Sequence, residues 1–367
     1  MDTKMSMDTK SRNRILTTVS ILLLVGFVYF ADNYLDLYIV RILNVCAIYA
    51  ILGMSMNLIN GFTGLFSLGH AGFMAVGAYT TALLTMPPAV KKQIYYLAPL
   101  VKPLDQINLA FPLALLAGGL LAALVGALIA APVLRLKGDY LAIATLGFAE
   151  IIRVVFTNTQ TITNGALGLK GIPALTNLWW SFGTAAFTLV VLLSLINSSY
   201  GRALKAIRED EIAAESMGIN LARHKTLAFV IGAFFAGVGG GLLGNLLGTI
   251  DPKMFSSMFT FNILLIVVLG GMGSFTGSII SAFIVTIANE VLRVLDESIN
   301  LGFVVINGKV GMRSVVFSAL LMFVVLFYRH GLMGTKEFSW DRLLASKFCQ
   351  RIGGLFKKSL PKGVVDQ

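Results

Sequence analysis

The sequence predicts an all-α integral membrane protein of about ten transmembrane or half-membrane helices, with weak inverted-repeat character. Three features predict it. Apolar residues make up 56% of the 367 residues and charged residues only 13%, about half the charged share of a soluble domain; the mean hydropathy is +0.82. The apolar residues fall in runs long enough to cross a bilayer. One charged, helix-forming island, residues 198–225, interrupts them and has to lie in water.

A helical crossing takes about 20 apolar residues, within a range of roughly 17 to 25. That template places spans at 15–31, 39–59, 70–86, 109–133, 140–156, 181–197, 226–248 and 315–328. The stretch 259–295 is too long for one crossing. It is interrupted by GGMGSFTG at 270–277, so it reads as two shorter helices broken at the glycines. The first run follows Lys4, Lys10, Arg12 and Arg14, and no small-x-small cleavage site follows it, so it reads as an uncleaved span. The opening repeat MDTKMSMDTK reads as short, polar and disordered, within a cytoplasmic N-terminal tail at 1–14.

Parity tests the orientation. Basic residues favour the cytoplasm, which places the N-terminus there. The chain returns to that side after the fourth span, at Arg135 and Lys137, and after the sixth, at the charged island. If 259–295 crosses twice, the basic tail 329–367 is cytoplasmic as well; Lys91, Lys92 and Lys102 fall outside, against the pattern. In that tail Trp340, Leu343, Leu344, Phe348, Ile352 and Leu355 lie among lysines and arginines, the pattern of an amphipathic helix on the membrane surface. Residues 15–328 form the membrane domain.

Several chemistries are excluded. The net charge of +11 comes from 29 basic and 18 acidic residues, but the basic ones cluster in loops and termini, as membrane anchors do, so nucleic acid is not a partner. Two cysteines, Cys46 and Cys349, offer no disulfide framework or metal site. No G-x-x-x-x-G-K-[ST] loop is present, and no nucleophile–base pair accompanies the three scattered histidines. The chain reads as no enzyme, with no catalytic residue, no metal and no cofactor of its own. The run GVGGGLLG at 237–244 lies mid-span and reads as helix packing.

Two interrupted segments, 57–79 and 269–283, occupy matching places in the two halves. Paired broken helices point to a permeation path in transporters built from repeats. Asn57, Gly61, Thr63, Gly64, Ser67 and His70 in the first, with Asn262, Ser274 and Thr276 in the second, are the candidate path residues. The plainer alternative is that these polar groups satisfy backbone freed by the glycines. Glu150 and Arg153, three apart on one helix, suit either a structural ion pair or a gate.

The island carries the specific motif. GRALKAIREDEIAAESMGI, at 201–219, resembles the coupling loop of ABC importer permeases, in which a short helix with Ala-Ala and a glycine four residues on enters a groove of the nucleotide-binding subunit. Ala213, Ala214 and Gly218 hold that spacing, flanked by Arg202, Arg208, Glu211 and Glu215. The acid sits at Glu211 rather than directly before the alanines, and no Leu-Pro follows. Residues 61–84, 134–155, 163–173 and 268–283 are similar, in order, to LivM-type permeases of high-affinity branched-chain amino acid importers. The resemblance covers residues 35–330 or so. It implies a bacterial inner-membrane permease with both termini cytoplasmic and ATP used only by partner subunits. Those partners are a second related permease, two ATP-binding subunits and an extracytoplasmic substrate-binding protein. A sister branch carries urea, with Gln where this chain has His70, which favours amino acids. The rival readings are a urea or short-amide permease and an ion-coupled secondary transporter using Glu150.

Overall fold

The structure is a computed structural model. It describes residues 2–96, 98–136, 138–293 and 331–338, together with single positions between 299 and 327. The expected span at 315–328 lies in part, and the expected surface helix in the C-terminal tail beyond Phe338 lies wholly, outside the described residues. The chain divides into two units, residues 1–35 with 336–367, and residues 36–335.

The first unit contains α1, Asp2–Tyr34. This corrects the expected disorder of the opening repeat: the helix runs through it from Asp2. No Gly or Pro interrupts the chain before Gly26, and a helix already nucleated by an apolar span extends without a second nucleation cost.

The second unit is built from α2 (Leu37–Asn57), α3 (His70–Thr85), α4 (Pro88–Ile94), α5 (Phe111–Val133), α6 (Asp139–Asn158), α7 (Gln160–Thr163), α8 (Leu178–Asn197), α9 (Ser199–Glu209), α10 (Glu211–Ser216), α11 (Leu221–Leu247), α12 (Ser257–Gly270) and α13 (Phe275–Val291). Among the described residues, six helices are long and apolar enough to cross a membrane, α1 included. α3, α12 and α13 are shorter because each abuts a break, and α4 turns away from α3 by 119°. The long run at 259–295 is indeed two helices. Gly271 and Gly273, at φ +110° and +100°, turn the chain between them in a conformation that glycine adopts without steric cost.

α11 is the central helix, packed on α3, α5 and α2, while α13 and α12 lie against α2. In lipid there is no hydrophobic force between helices, so close packing has to supply the attraction. The glycine run of α11 does this: a Cβ on Gly77 of α3 would overlap the carbonyl of Gly237, and one on Gly240 would overlap that of Met74. Gly77→Val is therefore expected to abolish accumulation of the protein in membranes, measured by immunoblot of the membrane fraction. Wild-type levels would show that the seam tolerates a side chain.

One end of the bundle carries α9 and α10. The opposite end carries a two-residue antiparallel ladder, β1 (Leu169–Lys170) with β2 (Thr249–Ile250), in register Leu169↔Ile250. There Lys91 is buried, donating to the carbonyls of Leu104 at 2.8 Å and Ile107 at 2.6 Å. Burial pushes its ammonium below the ordinary lysine range, with Asp105 opposing. Lys91, one of the three lysines that run against the charge pattern, is a loop clamp.

Candidate functional site

The site is made where two helix breaks meet the charged elbow. At the first break, α2 passes into a single π-turn, Leu58–Phe62, and the chain then runs irregularly to His70. Glycines free the backbone here, and nearby side chains satisfy it. Asn60 and Ser67 exchange amide bonds at 3.2 Å in both directions, and the Thr63 hydroxyl donates to Leu58 O at 2.9 Å. Thr145 of α6 accepts from Leu68 N at 2.9 Å, and Thr260 of α12 accepts from Ala71 N at 3.1 Å, capping the start of α3. The His70 ring lies 2.7 Å from the Ser55 hydroxyl and is fully enclosed.

At the second break the last carbonyls of α12 lack helical partners. Residues far along the chain supply them: Leu332 N donates to Leu269 O at 2.8 Å and Met333 N to Gly270 O at 3.1 Å. Ser274 caps α13 by accepting from Gly277 N, and Thr276 donates to the Met333 sulfur at 3.4 Å.

Asn57 joins the two breaks. Its Oδ1 accepts from Gly273 N at 2.8 Å, and its Nδ2 donates to Ser274 O at 2.8 Å and Ser278 Oγ at 2.7 Å, with Gly271 O at 3.2 Å. The side chain has no exposed surface. Gly61 is required beside it, since a Cβ there would overlap Asn57 Oδ1 and stand 2.5 Å from Gly273 N. The matching segments of the two halves are thus one hydrogen-bonded joint.

The expected path residues separate into groups. Asn57, Gly61, Thr63, Ser67, His70 and Ser274 are buried, Thr276 is half-buried, and Gly64 and Asn262 are exposed. Asn262 shares a face of α12 with the exposed Met258 and Phe261.

The charged island folds as two helices rather than one. Asp210 ends α9 and caps α10, its carboxylate accepting from Ile212 N at 2.8 Å and Ala213 N at 3.0 Å. α9 buries Gly201, Leu204 and Ile207, while Arg202 is exposed and bonds Ser199. α10 closes with Ile219 N on Ala214 O at 3.1 Å and Gly218 N on Glu215 O at 2.9 Å, the paired bonds of a Schellman end. Gly218, at φ +82° with open space around it, is there for its backbone conformation, not for its smallness. Lys225 of α11, itself buried, holds Glu211 at 2.6 Å.

Ala214 faces inward, while Ala213, Glu215 and Gly218 face out. The sequence reading passed over the two most prominent residues. Ile212 is 75% exposed and Met217 84%, two large apolar side chains on a helix otherwise polar or small. Flanking the Ala-Ala pair in so polar a setting was their signal. A cleft lined by Leu134, Glu211, Gly218 and Lys225 lies under α10, which puts the α5–α6 turn at this same end. Glu150 and Arg153 form their expected ion pair on a part-exposed face of α6.

Interrupted helices joined through one amide, with a polar elbow beside the joint, define a multi-pass helical membrane protein of the broken-helix kind. The chain belongs to the family described as branched-chain amino acid transport system, permease component, which it matches over residues 38–326. This is a family of transport permeases, not of enzymes.

The chain is 36% identical over 292 residues to the high-affinity branched-chain amino acid transport system permease protein LivM of Escherichia coli (strain K12), covering 70% of this chain and 64% of that protein. It is 24% identical over 315 residues to a probable LivM of Methanocaldococcus jannaschii, covering 79% and 91%. It is 25% identical over 317 residues to LivH of Salmonella typhimurium, covering 79% and 92%. The chain thus spans a little under two thirds of the E. coli relative, 64% of its length. No solved structure matches.

Proposed function

We propose that this chain is a permease subunit of an ATP-binding-cassette importer that carries branched-chain amino acids into the cytoplasm. It pairs with a second related permease, receives substrate from an extracytoplasmic binding protein and is driven by two ATP-binding subunits, one of them docked on α10. It has no ATP site of its own. The observation that carries this reading is the elbow α9–α10, a polar element on an apolar bundle, whose tip presents Ile212 and Met217 to solvent. Apolar anchors ringed by polar groups suit a protein groove better than water. The end bearing α10 is cytoplasmic, the membrane is the bacterial inner membrane, and both chain termini lie on the cytoplasmic side.

Substrate passes along the exposed face of α12 that carries Asn262, with the second permease as the opposite wall. Asn57, Thr63, Ser67, His70, Ser274 and Thr276 articulate the broken helices and reach the path only when these separate. The path binds weakly, because affinity resides in the delivering protein.

The test is reconstitution of the complete complex in proteoliposomes with radiolabelled leucine. Uptake is expected only with ATP on the side of α10 and with the binding protein opposite. Urea uptake in place of leucine would move the chain to the sister branch, and uptake by this chain alone without ATP would overturn the reading. Glu150→Gln is expected to leave ATP-dependent uptake within about twofold, because ATP hydrolysis by the partner subunits, and not a proton on Glu150, supplies the proposed drive; loss of a proton-coupled current in that variant would favour an ion-driven transporter.

A further inference from the structure

One face of α9 addresses both helix breaks at once. Arg208 lies on Gly64: a Cβ there would stand 3.2 Å from its Cγ and 3.3 Å from its Cα. Its guanidinium lies on Gly273, where a Cβ would stand 2.6 Å from Nη1. One turn earlier, Lys205 places its ammonium 6.0 Å from the centre of the Phe62 ring, and Phe62 packs on Phe275, the first residue of α13, at 4.4 Å. No carboxylate pairs with Arg208 among the described residues. Its stem packs just past the π-turn ending at Phe62, and its guanidinium lies beside Gly273, between the end of α12 at Gly270 and the cap of α13 at Ser274.

We propose that Arg208 is a positioning residue, a strut that makes α9 and the two broken helices one moving body. A displacement imposed on α10 then reaches the Asn57 joint without slip. Arg208 therefore turns inward to the permease, and does not contact the motor subunit. The inference rests on the proposed ATP-driven function, and the experiment separates the two.

The strut can be replaced covalently. A Cβ on Gly64 would lie 3.5 Å from the Cβ of Arg208, at the short end of the range that a disulfide spans; the positive φ of Gly64, +73°, makes any side chain there strained, which is why Gly64→Cys alone is the reference. The complete transporter carries Gly64→Cys and Arg208→Cys in a background of Cys46→Ala and Cys349→Ser. Leucine uptake per ATP hydrolysed is measured reduced and oxidised, with Gly64→Cys alone as reference. Reduced, the pair is expected to lose at least tenfold in this ratio, while the ATP-binding subunits still co-purify and hydrolyse ATP. Oxidised, it is expected to cross-link and recover to within about threefold of the reference. Arg208→Lys, which keeps the stem and the charge, is expected to fall between wild type and Arg208→Ala.

Three results overturn the strut: a cross-linked transporter as inactive as the reduced one, Arg208→Ala keeping the wild-type ratio of uptake to hydrolysis, or Arg208→Ala shedding its ATP-binding subunits. If instead the unmodified complex shows no ATP-dependent uptake, the proposed function fails; the cross-link then still reports whether α9 is seated on Gly64.

Discussion

Replacing Ile212 and Met217 together by aspartate is expected to strip the ATP-binding subunits from the complex and abolish uptake, while the chain inserts and melts like the wild type. Both side chains stand almost free of the fold, at 75% and 84% exposure, so their loss costs the isolated bundle little. In an interface, buried apolar anchors each contribute roughly 2 kcal/mol. Removing two weakens docking by about three orders of magnitude, and a buried, unpaired carboxylate costs more. Co-purification from detergent and uptake in vesicles are the two readouts. A double variant that keeps its partners and transports normally would show that α10 is an ordinary solvated loop. Gly218→Val is expected to act by another route: at φ +82° it strains the turn that ends α10, so the helix frays and docking weakens without loss of a contact atom.

Asn57→Ala is expected to lower stability by about 2 kcal/mol, because it leaves the amide of Gly273 buried without a partner. Average hydrogen bonds between membrane helices are worth less than that, but this side chain serves four groups at one joint. Asn57→Asp is expected to be worse than alanine. Its carboxylate accepts from Gly273 N but is aimed at the carbonyl oxygens of Ser274 and Gly271. Thermal unfolding in detergent, followed by size-exclusion, ranks the three proteins. An alanine variant that melts with the wild type would mean that the two breaks are held by packing alone.

These effects differ in how far the sequence foretold them. The spans within the described residues were legible because an apolar run of membrane length has few alternatives, and the breaks because clustered glycines end helices. The charged island was legible because it has no place in hydrocarbon. What stayed hidden is non-local. Asn57 and Gly273 are 216 residues apart, and no local pattern joins them. The capping of α12 by Leu332 and Met333 is non-local too, and backbone amides leave no signature in side-chain chemistry. Asp210 splits the island because its carboxylate bonds two amides ahead, a capping role that competes with helix interior. In the N-terminal repeat, polarity was taken for disorder, although nothing there stops a helix propagating from the adjoining span.

The most direct measurement is vectorial labelling at the tip of α10. Met217→Cys, in a background of Cys46→Ala and Cys349→Ser, is exposed to a membrane-impermeant maleimide in vesicles of known sidedness. The account predicts reaction in inside-out vesicles only, and protection when the ATP-binding subunits are bound. Labelling from the extracellular side would contradict it.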